Sequence, residues 1–152
     1  MLLTDFILGI VDTSLIFYIG LKLYRVSFTM KKFMLIVLFD TTVIWVGRSL
    51  EIGFLEQTTL GIVILTLAVR YYLKKNWFAS LVTILTTYII IYMLDNLVLT
   101  SLTYFDISFI NLNNTRGFQF YLVAFVMEAI HLIAAGIINY FDLHIADLRT
   151  IK

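Results

Sequence analysis

Long apolar runs broken by short polar segments organise this chain. Five runs stand out, over residues 2–24, 33–54, 58–73, 77–104 and 117–141. A helix crossing a bilayer needs about 20 predominantly apolar residues, roughly 17–25, and the first, second and fifth runs fit that length. The third is short, so Arg70 near its end has to snorkel toward water. The fourth is long enough to tilt or to end in an interfacial segment. Transmembrane strands would be about 10 residues with alternating polarity, whereas these runs are longer and apolar all round. The pattern therefore predicts a single all-α domain over 1–152: an integral membrane bundle of five transmembrane helices.

The polar segments orient the bundle. The first connection is basic (Lys22, Arg25, Lys31, Lys32), the second acidic (Glu51, Glu56), the third basic (Arg70, Lys74, Lys75). The fourth, 105–116, is polar and rich in asparagine. Basic loops stay on the cytoplasmic side, so the N-terminus is expected outside and the C-terminus in the cytoplasm. Tyr24, Tyr71, Tyr72 and Trp77 then fall at the inner interface, where amphipathic aromatics belong.

Composition agrees with a membrane solvent. Of 152 residues, 61% are hydrophobic and 14% charged, with a mean hydropathy of +0.97; soluble domains average about 25% charged. A net charge of +1 gives no reason to expect nucleic acid. With no cysteine there is no disulfide, thiolate nucleophile or thiolate metal site. With no proline nothing forces a kink. The first 24 residues lack a basic segment and a small-x-small cleavage site, so no cleavable signal peptide is expected. Asn113-Asn114-Thr115 matches a glycosylation sequon and would lie outside.

Charges inside apolar runs are the candidate chemistry, since each is costly in hydrocarbon and needs a partner, water or a proton. Counting depth at about 1.5 Å per residue puts Asp12 and Glu128 near the midplane, with Asp40 and His131 somewhat nearer the cytoplasm. Arg48, Glu51 and Asp95 come out near the outer surface. The outer three read as an ion-pair cluster, Arg48 with Glu51 or Asp95. The deep four read as binding or proton-path residues, or as protonated carboxyls joining helices by hydrogen bonds. Glu128 and His131 share one face at i, i+3, like one element of a di-iron site. The second such element and the further carboxylates are missing, so neither a metal nor a cofactor is expected. Gly9, Gly20, Gly47, Gly61 and Gly136 mark close helix approaches, with Ala134-Ala135-Gly136 the best patch. Thr83, Thr86 and Thr87 read as hydroxyls bonding their own helix. Past the membrane, Ile138, Phe141, Ile145 and Leu148 form an apolar stripe that predicts a continuation of the last helix, docking on a partner or in the inner interface.

The stretches Gly47-Arg48-Ser49-Leu50-Glu51-Ile52-Gly53-Phe54, Thr58-Thr59-Leu60-Gly61-Ile62 and Lys74-Lys75-Asn76-Trp77-Phe78-Ala79-Ser80-Leu81 resemble the membrane-embedded N-terminal sensor region of Firmicute histidine kinases related to peptide-quorum-sensing receptors. The likeness covers roughly residues 1–100 in layout. Phe54-Leu55-Glu56-Gln57 lacks the proline usual in the outer turn of that group, and His144 is not in a kinase motif, so no phosphotransfer is expected. The resemblance implies a signal-receiving or partner-binding module. The expected function is thus a non-catalytic bacterial integral membrane protein of the plasma membrane, a sensor-like or accessory subunit and not an enzyme. It would work with a membrane protein partner or as a homo-oligomer. The alternative is a small transporter or proton- or cation-conducting subunit that uses the buried acids.

Overall fold

The structure is a computed structural model and describes residues 3–50, 52–104 and 118–147. Five helices follow one another: α1 (Leu3–Leu23), α2 (Met30–Ser49), α3 (Phe54–Tyr72), α4 (Trp77–Tyr104) and α5 (Phe118–Tyr140). No strand occurs among the described residues. Helix α1 packs on α2, α4 and α5; α3 packs on α2 and α4; α5 also touches α4. The α1–α4 pair is thus the spine, with α2 and α3 on one side and α5 on the other.

Three helices are long and apolar enough to cross a membrane: α1, α4, and α5 over Tyr121–Tyr140, with mean hydropathies of 1.8, 1.9 and 2.1. Helices α2 and α3 have 20 and 19 residues. Helix α2 carries four charged residues, Lys31, Lys32, Asp40 and Arg48, and α3 carries two, Glu56 and Arg70. The outward faces bear large apolar side chains such as Phe39, Met93, Leu97, Phe125 and Ile133, each 60% or more exposed. A water-soluble bundle would show polar residues there.

The connections explain where helices stop. Helix α2 starts at Met30 and ends at Ser49, earlier at both ends than the 33–54 run, and α3 starts at Phe54 instead of 58. The reason is the turn between them: the Gly47 carbonyl accepts the N–H groups of both Leu50 and Ile52, and Gly53 caps α3 by accepting from Gln57 N–H at 3.0 Å. Asn76 caps α4, its side chain accepting from Ala79 N–H at 2.6 Å. Just beyond α1, α3 and α5, the residues Arg25, Lys74 and Asp142 adopt positive φ (49°, 57° and 47°). After α1 and α5 the chain then folds back, Val26 N–H on Leu21 O at 2.8 Å and Leu143 N–H on Ile138 O at 3.0 Å.

That last turn overturns the expected continuation of the fifth helix. Helix α5 ends at Tyr140 because Asp142, of a residue type that tolerates the left-handed region better than most, takes the place glycine usually fills. The tail then docks on its own chain. Ile145 N–H donates to Leu23 O at 2.7 Å. Arg25 pairs with Asp142 and, at 3.7 Å, with Asp147. Leu148 of the apolar stripe lies outside the described residues, as do the sequon residues 113–115.

Two further readings change. Gly136 faces open space, whereas Gly20 lies so close to Thr87 that a Cβ would overlap its hydroxyl and sit 3.2 Å from its Cβ. The tightest helix approach is therefore α1 on α4. Tyr24 is buried against its own bundle instead of facing outward, and donates from its hydroxyl to Thr86 at 2.9 Å. Thr83 and Thr87 donate to their own helix, each at 2.7 Å.

Candidate functional site

Register places the acids. Asp12 lies nine residues on from Leu3, Asp40 nine before Ser49, Asp95 nine before Tyr104, and Glu128 ten on from Phe118. These helix ends are all at the end of the bundle opposite the basic connections. At about 1.5 Å per residue, each carboxylate starts from a backbone position about 14–15 Å from that end. The four acids form one layer, contributed by α1, α2, α4 and α5. The division into a deep group and an outer group containing Asp95 does not hold. Helix α4 outruns α1 by seven residues, and its excess projects at the basic end.

His131 joins this layer. It is 2% exposed, and its Nε2 lies 3.0 Å from Asp95 Oδ1. A carboxylate acceptor favours a proton on Nε2, and in that neutral tautomer Nδ1 keeps its lone pair. Nδ1 points at Asp12 Oδ1, 3.9 Å away. Atoms of Asp12, Glu128 and His131 suited to hold an ion all lie within 4.8 Å of one another. Asp40, on the other flank of α1, accepts from Thr13 Oγ1 at 3.5 Å.

A cavity of about 340 Å³ opens along this layer. Asp12, Asp40 and Asp95 give it three carboxylates, Tyr88 and Tyr92 two phenols, and Arg48, Leu55, Gln57 and Thr58 line it toward the non-basic end. A smaller recess beside it, lined by Asp5, Asp12, Trp45 and Arg48, extends the polar surface. Toward the basic end the bundle is filled by Phe17, Ile19, Leu21, Val37, Leu65, Val69 and Ile84, each fully or almost fully buried. A larger cavity of about 410 Å³ lies between α2 and α3. Its lining is apolar except for Tyr71, so it offers little to orient a polar ligand.

Buried polar atoms normally have partners. Six buried side-chain atoms have none among the described residues, and four of them sit in or beside this layer: Asp40 Oδ1, Trp45 Nε1, Glu128 Oε2 and His131 Nδ1. These four place polar atoms without a protein partner in one layer.

Of the residues singled out from the sequence, Asp12, Asp95, Glu128 and His131 converge, with Asp40 across the cavity. Arg48 is not paired with Asp95, which is turned to His131. Instead its Nε donates to Gln57 Oε1 at 3.3 Å, and Gln57 in turn donates to Ile52 O, tying the α2–α3 turn together. Glu51, the other expected partner, lies outside the described residues. Sequence reasoning missed Tyr88, Thr13, Trp45 and Gln57. Tyr88 had a usable signal, since it precedes Asp95 by two helical turns on the same face of α4.

No protein-family model, curated protein or solved structure matches the chain.

Proposed function

We propose that this chain is a membrane-embedded, non-catalytic binding module of sensor or accessory type, whose acidic cavity receives a cationic group from the extracytoplasmic side. All five helices span the bilayer, with the basic connections in the cytoplasm, as the alternation of charged segments favours. The acid layer then lies about half of the ~30 Å hydrocarbon thickness below the outer face. The observation that carries the reading is the cavity itself: three carboxylates lining it with Arg48, Gln57 and Thr58 toward the non-basic end, beside close-packed apolar side chains toward the basic end.

A ligand amine or guanidinium suits this chemistry. Ionised carboxylates in a low-dielectric site hold it by charge-assisted hydrogen bonds, and the Tyr88 and Tyr92 rings can add cation–π attraction. The apolar packing toward the basic end favours binding over passage, because a conducting path would have to cross the layer of Phe17, Val37, Leu65 and Val69. The conducting alternative draws its support from the contiguous Asp12–His131–Asp95 set.

The chain supplies its own reporter. It has two tryptophans; Trp45 lines the recess beside Asp12, while Trp77 lies at the far end of the bundle. A Trp77→Phe variant in lipid nanodiscs is titrated with a polyamine such as spermidine while Trp45 fluorescence is followed. Saturable change that disappears in Asp40→Asn and Asp95→Asn supports the cavity reading, and absence of any change rejects it. In sealed liposomes the same protein is predicted to give no proton or cation flux above empty vesicles. Measurable flux would move the assignment to the conducting alternative.

A further inference from the structure

We infer that Asp12, Glu128 and His131 form a binding site for one divalent first-row transition-metal ion, with Asp95 as the carboxylate that orients the histidine. The inference rests on the cavity reading only for access, through Asp12, which lines both the cavity and the cluster. The ligand set follows from the geometry of α1, α4 and α5.

His131 carries the argument. It is 2% exposed, its Nε2 is held by Asp95 at 3.0 Å, and its Nδ1 has no hydrogen-bond partner among the described residues. A metal-binding histidine almost always donates its other ring N–H to a carboxylate or carbonyl, which fixes the tautomer and the ring plane. Here that arrangement is built, and the free nitrogen is aimed at Asp12 Oδ1, 3.9 Å away. Glu128 lies one turn before His131 on the same face of α5, and its Oε2 is also buried without a partner. Were the purpose of the cluster only to join helices, Nδ1 and Glu128 Oε2 would be expected to bond each other or a neighbour.

Distances allow an ion with small movements. With metal–ligand bonds of about 2.0–2.2 Å, donor atoms around a tetrahedral ion lie about 3.3 Å apart. The present separations are at most 4.8 Å, so contraction of up to about 1.5 Å suffices, within reach of carboxylate rotamers. One imidazole and two carboxylates suit zinc, manganese or iron(II) better than the all-oxygen preference of calcium or magnesium. The di-iron comparison drawn from sequence looked for a second Glu-x-x-His. The fold supplies one further ligand carboxylate, Asp12, from α1 and the orienting carboxylate, Asp95, from α4 instead.

The test uses the full chain in nanodiscs. Zinc retained after desalting against a weak chelator is measured by elemental analysis, and cobalt(II) is used as a coloured substitute. One equivalent of zinc is expected, together with a cobalt ligand-field band that zinc abolishes. His131→Gln and Glu128→Gln should each weaken binding at least about tenfold. Asp95→Asn should weaken it by about 10–100-fold without changing the stoichiometry. Asp40→Asn, which alters the cavity and no ligand, should stay within about twofold of wild type. Substoichiometric zinc with no cobalt band in the wild-type protein overturns the site even where a variant fails to fold. So does stoichiometric zinc that is indifferent to both His131→Gln and Glu128→Gln. Spermidine binding that persists without zinc binding would leave the cavity reading standing and remove only the metal.

Discussion

Gly20→Ala should destabilise the bundle and loosen the acid layer together. A Cβ on Gly20 would overlap the Thr87 hydroxyl and sit 3.2 Å from its Cβ. Thr87 is fully buried and its hydroxyl is committed to Thr83 O at 2.7 Å, so it cannot rotate away freely. Helices α1 and α4 must separate or slide. Overpacking of this kind costs about 1–3 kcal/mol, against which alanine recovers about 1 kcal/mol of helix propensity. A net loss of up to about 2 kcal/mol is expected. The consequence for the site follows from register: Asp12 is eight residues before Gly20, and Asp95 eight after Thr87. In an antiparallel pair the Gly20–Thr87 contact thus sets Asp12 and Asp95 at one level, about 12 Å away. Unfolding in mixed micelles should show the loss. Thr87→Ala should restore most of it, giving a coupling of about 1–2 kcal/mol in the double-mutant cycle. A Gly20→Ala protein more stable than wild type, with additive behaviour in the cycle, would refute this packing and the register drawn from it.

Asp12→Asn and Glu128→Gln should fold in normal yield, because an amide replaces a carboxyl as hydrogen-bond partner, yet lose the Trp45 response or zinc retention; variants that insert but fail to fold would make the acids structural. Asp142→Gly should change stability by no more than about 0.5 kcal/mol, since relief of the left-handed backbone offsets an exposed ion pair, whereas Asp142→Val should cost at least about 1 kcal/mol; equal stability of the two in the same unfolding assay would contradict the turn. Arg48→Ala should couple to Gln57→Ala by about 0.5–1 kcal/mol and not measurably to Asp95→Asn, and the opposite ranking in paired cycles would restore the ion pair expected from sequence.

The helices were legible because apolar run length is a strong signal. Their ends were less so, since α2 begins among Lys31 and Lys32, whose charges mask a helical turn. The end of α5 was illegible for a specific reason: neither glycine nor proline marks it, and the left-handed residue there, Asp142, also meets Arg25, 117 residues away. Among the site residues, the Glu128–His131 pairing follows from helical spacing alone. The Asp95–His131 contact does not, because α4 is long enough that its length fixes no depth. Only packing against Gly20 shows that the excess of α4 lies at the basic end. Glycine spacing likewise marked five close approaches without showing that Gly20 is the tight one and Gly136 the open one.

The most direct test of an acidic cavity open to the outside and closed below is thiol labelling in intact cells, made clean by the absence of native cysteine. Single cysteines are placed at Thr58 toward the non-basic end, at Tyr92 in the wall and at Val69 in the apolar packing toward the basic end. Each is exposed to membrane-impermeant methanethiosulfonates, one cationic and one anionic. Thr58→Cys and Tyr92→Cys should react from outside, Tyr92→Cys faster with the cationic reagent by about tenfold or more, that preference falling in Asp40→Asn and Asp95→Asn backgrounds. Val69→Cys should stay unlabelled. Reaction of the Thr58 and Tyr92 positions only after the membrane is opened would contradict the orientation, and faster reaction of Tyr92→Cys with the anionic reagent would contradict the acidic character of the cavity.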